Sequence, residues 1–72
     1  MMLLRDLMTT CVSTTTPEAS VSAAAAGMVK AHVGSAVVMQ GSFLAGILTE
    51  RDVLRAAASG EDLSVSTVAE WI

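Results

Sequence analysis

The chain has 72 residues, of which 53% are hydrophobic, and its formal net charge is -3. This length limits it to one small domain, and without a basic stripe nucleic acid is an unsuitable partner. Because the apolar residues are mostly small, with one Trp, one Phe and no Tyr, the chain buries little area alone and we expect it to associate.

The N-terminal residues MMLLRDLM predict a short amphipathic lead-in helix. Arg5 and Asp6 interrupt the apolar run that an export signal requires, so we expect no such signal. The uncharged stretch 31–49 contains three glycines and several polar residues, which is unsuitable for a membrane span. We therefore expect a cytoplasmic protein that makes no contact with a membrane.

The next elements are a short strand around Val12 to Thr15 and a helix from about Val21 to Val33. Ser20 is a good N-cap residue because its hydroxyl can accept a hydrogen bond from a free backbone N–H. We expect Gly34 to end the helix, since glycine adopts positive φ easily. The helical spacing predicts an inward face made of Val21, Ala24, Ala25, Met28, Val29 and His32.

Two apolar runs, AVVMQ and FLAGIL, are separated by Gly41 and Ser42, which is the spacing of a tight β-hairpin. Their near-continuous hydrophobicity predicts burial on both faces, one face by the chain's own helices and the other by a further layer. A second helix is expected to begin after Thr49 and to end at Gly60. The residues predicted to face inward on it are Val53, Leu54, Ala57 and Ala58.

These elements predict an α+β fold: a small mixed three-stranded sheet with two helices on one face, in the order β-α-β-β-α. Residues 1–64, including the lead-in helix, are expected to form a single motif. Residues 65–72 are expected to begin a further helix or a second motif. The reason is that Val68–Ile72 repeats the order of apolar and acidic residues seen in Leu4–Met8.

Thr49 and Asp52 stand where the second hairpin strand meets the second helix, and their pattern has two interpretations. Thr-x-x-Asp is a capping box, in which each side chain bonds the backbone N–H of the other residue. A helix N-terminus behind a strand also attracts anions, and a carboxylate there can accept hydrogen bonds from ribose hydroxyls. The pattern by itself fits either a cap or a ligand site.

The segment GILTERD, Gly46–Asp52, resembles the Gly-apolar-x-Thr/Ser-x-x-Asp signature of cystathionine-β-synthase (CBS) domains. Three upstream segments resemble further parts of the family pattern in the same register: Met8–Thr9, Pro17–Val21 and Val33–Ser35. The order of the elements agrees as well. The resemblance therefore extends over nearly the whole chain.

This resemblance implies a regulatory module and no enzyme. In the family, two motifs pack through their sheets, and the clefts between them bind adenosyl compounds such as AMP, ADP, ATP or S-adenosylmethionine. By the same resemblance, Asp52 would bond the ribose hydroxyls, Thr49 the ribose or phosphate, and Arg51 is a candidate for the phosphate charge. The residues that would border the adenine are Thr10, Val12, Val33 and Gly34.

The sequence departs from the family pattern at two positions and supplies one motif only. Val37 stands where the family often has Pro, and Gln40 stands where it often has Asp. The second motif must come from another chain, as in a homodimer or larger oligomer, or from a longer tandem protein. No metal or certain cofactor is expected.

Two further functions compete with nucleotide sensing. In the first, the chain is a pairing module that only dimerises, and Thr49 and Asp52 serve as a helix cap. In the second, Glu50 and Asp52 perform acid–base catalysis, but residues two apart on a helix point in different directions, and no nucleophile or metal cluster accompanies them. The sequence favours a ligand-binding regulatory module.

Overall fold

The computed structural model describes residues 13–72, and the predicted lead-in helix, Thr10 and Val12 lie outside this range. The described part contains three strands, two α-helices and one 3₁₀ helix. Their order, β-α-β-β-α followed by the 3₁₀ helix, confirms the predicted α+β fold. The elements are β1 Ser13–Thr15, α1 Val21–Ala31, β2 Ser35–Gln40, β3 Phe43–Thr49, α2 Glu50–Ala58 and the 3₁₀ helix Val68–Glu70.

The sheet has the strand order β1-β2-β3, with β1 parallel and β3 antiparallel to β2. The predicted hairpin turn is present, and Gly41 has a φ of 62°, as the first turn residue of a type II′ turn requires. Ala36 pairs with Leu48 and Val38 with Gly46, but a β-bulge then shifts the pairing by one residue. The bulge changes which side chains of β3 share a face with β2.

Both helices pack on one face of the sheet, as the sequence predicts. The central cluster is apolar and joins α1, β2 and β3 to the 3₁₀ helix, with α2 contributing at its edge. Because its members are mostly Ala and Val, each residue buries little area. The buried members are Ala24, Met28, Ala36, Val38, Leu48 and Val68, and Ala19, Val33, Val53 and Trp71 pack against them.

The opposite face of the sheet is only partly covered. Val37 of β2 is completely buried, whereas its register partner Ile47 on β3 is 47% exposed. Leu44 is 48% exposed, and Phe43 beside the hairpin turn is 76% exposed. The sequence predicts that a further layer, which this chain does not supply, covers the second face of the hairpin. The exposed apolar side chains of β3 agree with the first part of this expectation, and their burial by a further layer stays a prediction.

Helix α1 ends earlier than the sequence predicts, and a different residue supplies the positive φ that ends it. Its last residue is Ala31, and His32 adopts the left-handed conformation with φ 58°. The Val33 N–H then bonds the Met28 carbonyl at 3.0 Å, which is the long bond of a Schellman cap. The prediction that Gly34 supplies the positive φ is therefore wrong, because His also tolerates this region and stands at the required position.

The inward faces of the helices are narrower than predicted. On α1, Val21, Ala24 and Met28 are buried, but Val29 is 74% exposed. Helix α2 ends at Ala58, turns its half-buried Val53 and buried Ala56 inward, and leaves Leu54 69% exposed. The predicted burial of Leu54, Ala57 and Ala58 is wrong, because a nine-residue helix that crosses the edge of a small core contacts it along one narrow stripe.

The last residues of the chain pack onto the same core. Val68 is completely buried, and its N–H donates to the Ala19 carbonyl at 2.9 Å. Ala69 N–H donates to the Pro17 carbonyl at 3.0 Å, so the 3₁₀ helix is bonded to the segment that precedes α1. The division of the chain into residues 1–64 and 65–72 stays a prediction. Across residues 13–72, no helix has the length and apolarity to cross a membrane.

Candidate functional site

The candidate site lies where β3 runs directly into α2, beside the start of β2. Thr49 is the register partner of Ser35, and the Glu50 N–H donates to the Gly34 carbonyl at 3.1 Å. The Glu50 side chain lies against Gly34, where a Cβ atom would stand 3.3 Å from the carboxyl carbon. A side chain at position 34 would therefore require a small shift of the exposed Glu50 side chain.

Thr49 and Asp52 form a complete capping box. The Thr49 N–H and the Thr49 hydroxyl both donate to Asp52 Oδ2 at 2.9 Å, and the Asp52 N–H donates to Thr49 Oγ1 at 3.3 Å. Thr49 has the extended backbone of an N-cap residue. The capping interpretation is thus correct as geometry, and it accounts for one of the two carboxylate oxygens.

These bonds also fix the charge of Asp52. The Thr49 backbone N–H is the largest cause that holds the pKa of the Asp52 carboxyl below its ordinary value. Partial burial acts in the opposite direction, while the Thr49 hydroxyl and the charge of Arg55 lower the pKa further. Asp52 is therefore a carboxylate at neutral pH, and a carboxylate only accepts hydrogen bonds.

The second oxygen of Asp52 contacts a residue that the sequence interpretation missed. Arg55 Nη1 donates to Asp52 Oδ1 at 3.1 Å, with the Arg55 side chain 59% exposed and that of Asp52 15% exposed. The guanidinium carbon of Arg55 also lies 5.8 Å from the centroid of the Trp71 ring. The signal for this pair was available in the sequence, because residues three apart on a helix are neighbours.

The structure separates the predicted site residues into two groups. Val33 and Gly34 line an open groove of about 500 Å³ between α1 and α2, whereas Thr49 and Asp52 do not line it. The two groups adjoin through the Glu50–Gly34 hydrogen bond. The residues around the groove are Ala25, Met28, Val29, His32, Val33, Gly34, Glu50, Val53 and Leu54.

The remaining predicted residues have simple locations. Arg51 is exposed on the first turn of α2, next to the capping box. Val37, one of the two departures from the family pattern, is completely buried in the centre of the sheet. The other departure, Gln40, is exposed at the end of β2. Within the described range, no group of three His, Cys, Asp or Glu side chains could hold a metal ion.

Comparisons with known proteins agree with this architecture. The family model for the CBS domain matches residues 4–59. A CBS domain-containing protein, YhcV of Bacillus subtilis (strain 168), is 40% identical over 60 residues, which cover 82% of this chain and 43% of YhcV. The chain thus spans less than half the length of this relative.

Solved structures show the same similarity. A cystathionine beta-synthase domain protein fused to a Zn-ribbon-like domain matches with a TM-score of 0.81 and 32% identity, over 85% of this chain and 89% of that one. A proposed signal-transduction protein with CBS domains from Burkholderia ambifaria MC40-6 matches with a TM-score of 0.78 and 30% identity, over 83% of this chain and 45% of that one.

The chain belongs to the CBS domain family. Proteins with these domains are commonly regulatory or signal-transduction modules, and the relatives named above are not described as enzymes. CBS domains usually pair with another CBS motif.

Proposed function

We propose that this chain is a regulatory module that binds an adenosyl nucleotide at the Thr49–Asp52 turn, in a cleft completed by a second CBS motif. One observation carries the proposal: the Asp52 carboxylate is fixed by Thr49 yet keeps accepting capacity. Oδ2 accepts two bonds from Thr49, while Oδ1 accepts one from the exposed Arg55 and no other within residues 13–72. Since a carboxylate offers about four acceptor positions, ribose hydroxyls can bond at Oδ1.

The first turn of α2 gives the phosphate a place beside the ribose. Free N–H groups and the positive end of the helix dipole favour an anion there, and Arg51 is exposed on the same turn. Glu50 and Asp52 add negative charge to this turn, which opposes phosphate binding. We therefore expect weak binding, with a Kd of about 1 μM to 1 mM.

The adenine would lie on the other side of the Gly34–Glu50 contact. There Val33 is half-buried and Gly34 carries no side chain, so backbone groups and apolar surface are available. Thr10 and Val12, in the segment before β1, would border the adenine together with Val33 and Gly34. AMP, ADP, ATP and S-adenosylmethionine all share the adenosyl group that these residues would recognise.

Isothermal titration calorimetry of the full chain with AMP, ADP, ATP and S-adenosylmethionine tests this function. We expect binding of at least one compound in the stated range. An Arg51→Ala variant should weaken binding of ATP more than binding of adenosine, while Lys30→Ala, which removes a cation from the last turn of α1, should change neither. If no compound binds, the proposal fails and Thr49 and Asp52 are a cap only.

The partner motif in this proposal is a second copy of the chain, packed on the partly covered sheet face. Ile47 and Leu44 are about half exposed there, and apolar surface of this kind stabilises an interface when it is buried. Sedimentation should show a dimer or larger species that Ile47→Glu dissociates. The matched control is Leu54→Glu on α2, which also adds a charge at an exposed apolar position; dissociation by this variant alone would place the interface on the helices.

A pairing module without a ligand is the second candidate function. The observation in its favour is the capping box, which satisfies Thr49 and Asp52 without any bound molecule. Calorimetry and sedimentation separate the two candidate functions. A pairing module without a ligand dimerises through the sheet face and gives no heat with any nucleotide.

A further inference from the structure

Arg55 lies between the proposed ribose acceptor and the end of the chain. Its Nη1 atom donates to Asp52 Oδ1 at 3.1 Å, and its guanidinium carbon is 5.8 Å from the centroid of the Trp71 ring. A cation at this distance from an indole face is attracted by the ring. One exposed side chain therefore contacts both the candidate site and the segment that follows α2.

Trp71 also has contacts that do not involve Arg55. Its Nε1–H donates to Ser66 Oγ at 2.9 Å, and the Ser66 hydroxyl lies 2.6 Å from Glu70 Oε2. Trp71 also packs against the buried core cluster. The ring is thus fixed by bonds and packing that do not involve Arg55, whereas 59% of the Arg55 side chain is in contact with solvent.

We infer that Arg55 couples occupancy of Asp52 to the environment of Trp71. This inference rests on the proposed nucleotide site. Oδ1 offers about two of the four acceptor positions of the carboxylate. When both ribose hydroxyls bond this atom they fill these positions, so the guanidinium loses that partner. An exposed cation–π contact is weak and comparable to the entropy cost of fixing an arginine side chain, so the released guanidinium leaves the ring.

Two consequences follow for the module. Arg55 competes with the ligand for Asp52, and so it lowers the affinity of the empty protein for ribose. Its release removes a positive charge from the surface beside Trp71, which gives the segment Ser66–Ile72 different surfaces in the free and bound states. Arg55 is a positioning residue in this scheme, since it acts through Asp52 and Trp71.

The chain offers a direct measurement, because Trp71 is its only tryptophan. Fluorescence emission of the full chain, corrected for absorption by adenine, is followed during titration with the adenosyl compound that calorimetry identifies. We expect saturation to shift the wild-type emission maximum. The Arg55→Ala and Asp52→Asn variants, both without ligand, should already show a shift in the same direction.

The Arg55→Ala variant should still bind in the calorimeter but give no further emission shift. For adenosine, which has no phosphate, its affinity should be about two- to fivefold higher than that of wild type, because an exposed ion pair is worth about that factor. The matched control is Arg51→Ala, a cation on the same helix without the Trp71 contact. At saturation it should keep the full emission shift.

The possible failures are distinct. Binding to wild type without an emission shift contradicts the inference alone, and so does a full shift in Arg55→Ala, which would mean that adenine acts on the ring directly. An unliganded Asp52→Asn protein with wild-type emission also contradicts it, whether or not any nucleotide binds. If calorimetry detects no binding by wild type, the proposed function fails and the ligand-driven coupling fails with it.

Discussion

Two turns of this molecule carry the same Thr-x-x-acid pattern, Thr49–Asp52 and Thr67–Glu70. In each turn the acidic side chain accepts the backbone N–H of the threonine at 2.9 Å. The first turn begins the nine-residue helix α2, and the second begins a 3₁₀ helix of three residues. The pattern marks a helix start in both places, so residue types at this spacing do not by themselves indicate a binding site.

The surroundings of the two carboxylates differ. Asp52 lies on the first turn of α2, where β3 ends beside the start of β2, and the one partner of its Oδ1 in the described part of the chain is an exposed arginine. Glu70 Oε2 already accepts bonds from Ser66 Oγ and the Thr67 N–H, and Glu61 Oε2 lies 3.0 Å from the same serine hydroxyl. Both carboxylates keep accepting capacity, so the position of the first turn, at the end of β3 and beside the start of β2, is what makes it the better candidate for a ligand.

The largest expected difference between the turns is in ligand affinity. Asp52→Asn keeps the shape of the side chain but weakens acceptance from the ribose hydroxyls. Charge-assisted bonds of this kind are worth about 1.5 to 3 kcal/mol, so the affinity for the adenosyl compound should fall about ten- to a hundredfold. Calorimetry of wild type and variant at a concentration where the dimer persists measures this ratio.

Glu70→Gln is the matched control for this experiment, because it makes the same chemical change in the other turn. We expect its nucleotide affinity to equal that of wild type. Equal affinities of wild type and Asp52→Asn would show that both turns are caps and that the contrast between them has no functional meaning.

The fold was predictable because local patterns and the family resemblance agreed along the chain. The Gly41–Ser42 turn, the two apolar runs and the Ser20 cap each specify one element without reference to the others. Most of the wrong predictions concern which helix residues face inward, because several elements pack against one small core and each can bury only a few side chains in it. Whether Leu54 faces inward depends on how α2 is rotated against the sheet, and helical spacing alone permits more than one rotation.

The candidate site was predictable in part. The capping box followed from the positions of Thr49 and Asp52, and the resemblance to CBS domains gave these residues a functional hypothesis. The contact of Arg55 with Asp52 was accessible from its spacing of three residues, but its proximity to Trp71 was not. That contact requires the chain after α2 to return along the helix, which no local pattern specifies.

The two turns should also differ in their effect on stability. Thr49→Ala removes the hydroxyl that caps α2, and loss of an N-cap costs about 0.5 to 2 kcal/mol. Thr67→Ala acts on a single turn of 3₁₀ helix, and we expect a change of about 0.5 kcal/mol or less. Urea unfolding at one fixed protein concentration measures both values.

Thr49→Ser provides the control for the first variant, because serine keeps the capping hydroxyl. Its unfolding free energy should lie within about 0.5 kcal/mol of wild type. If Thr49→Ala and Thr67→Ala cost the same, the longer helix gains no more from its cap than the single turn does, and the expected stability difference between the turns does not exist.

The smallest expected effect is in the pH dependence of the free energy of unfolding. The Thr49 backbone N–H is the main cause that lowers the pKa of Asp52 below 3.8, and the Ser66 hydroxyl is the main cause that lowers the pKa of Glu70 below 4.5. A carboxyl with a lower pKa in the folded state stabilises the fold above its unfolded pKa, and this contribution is lost as the pH falls through the folded value.

Unfolding free energies measured from about pH 6 to about pH 3 should therefore decline less in Asp52→Asn than in wild type, since the variant lacks one such group. Glu70→Gln should reduce the decline by a smaller amount, because its carboxylate is exposed and solvent screens its interactions. An equal reduction in the two variants would mean that the fold places both carboxylates in equivalent surroundings, which contradicts the difference in their hydrogen-bond partners.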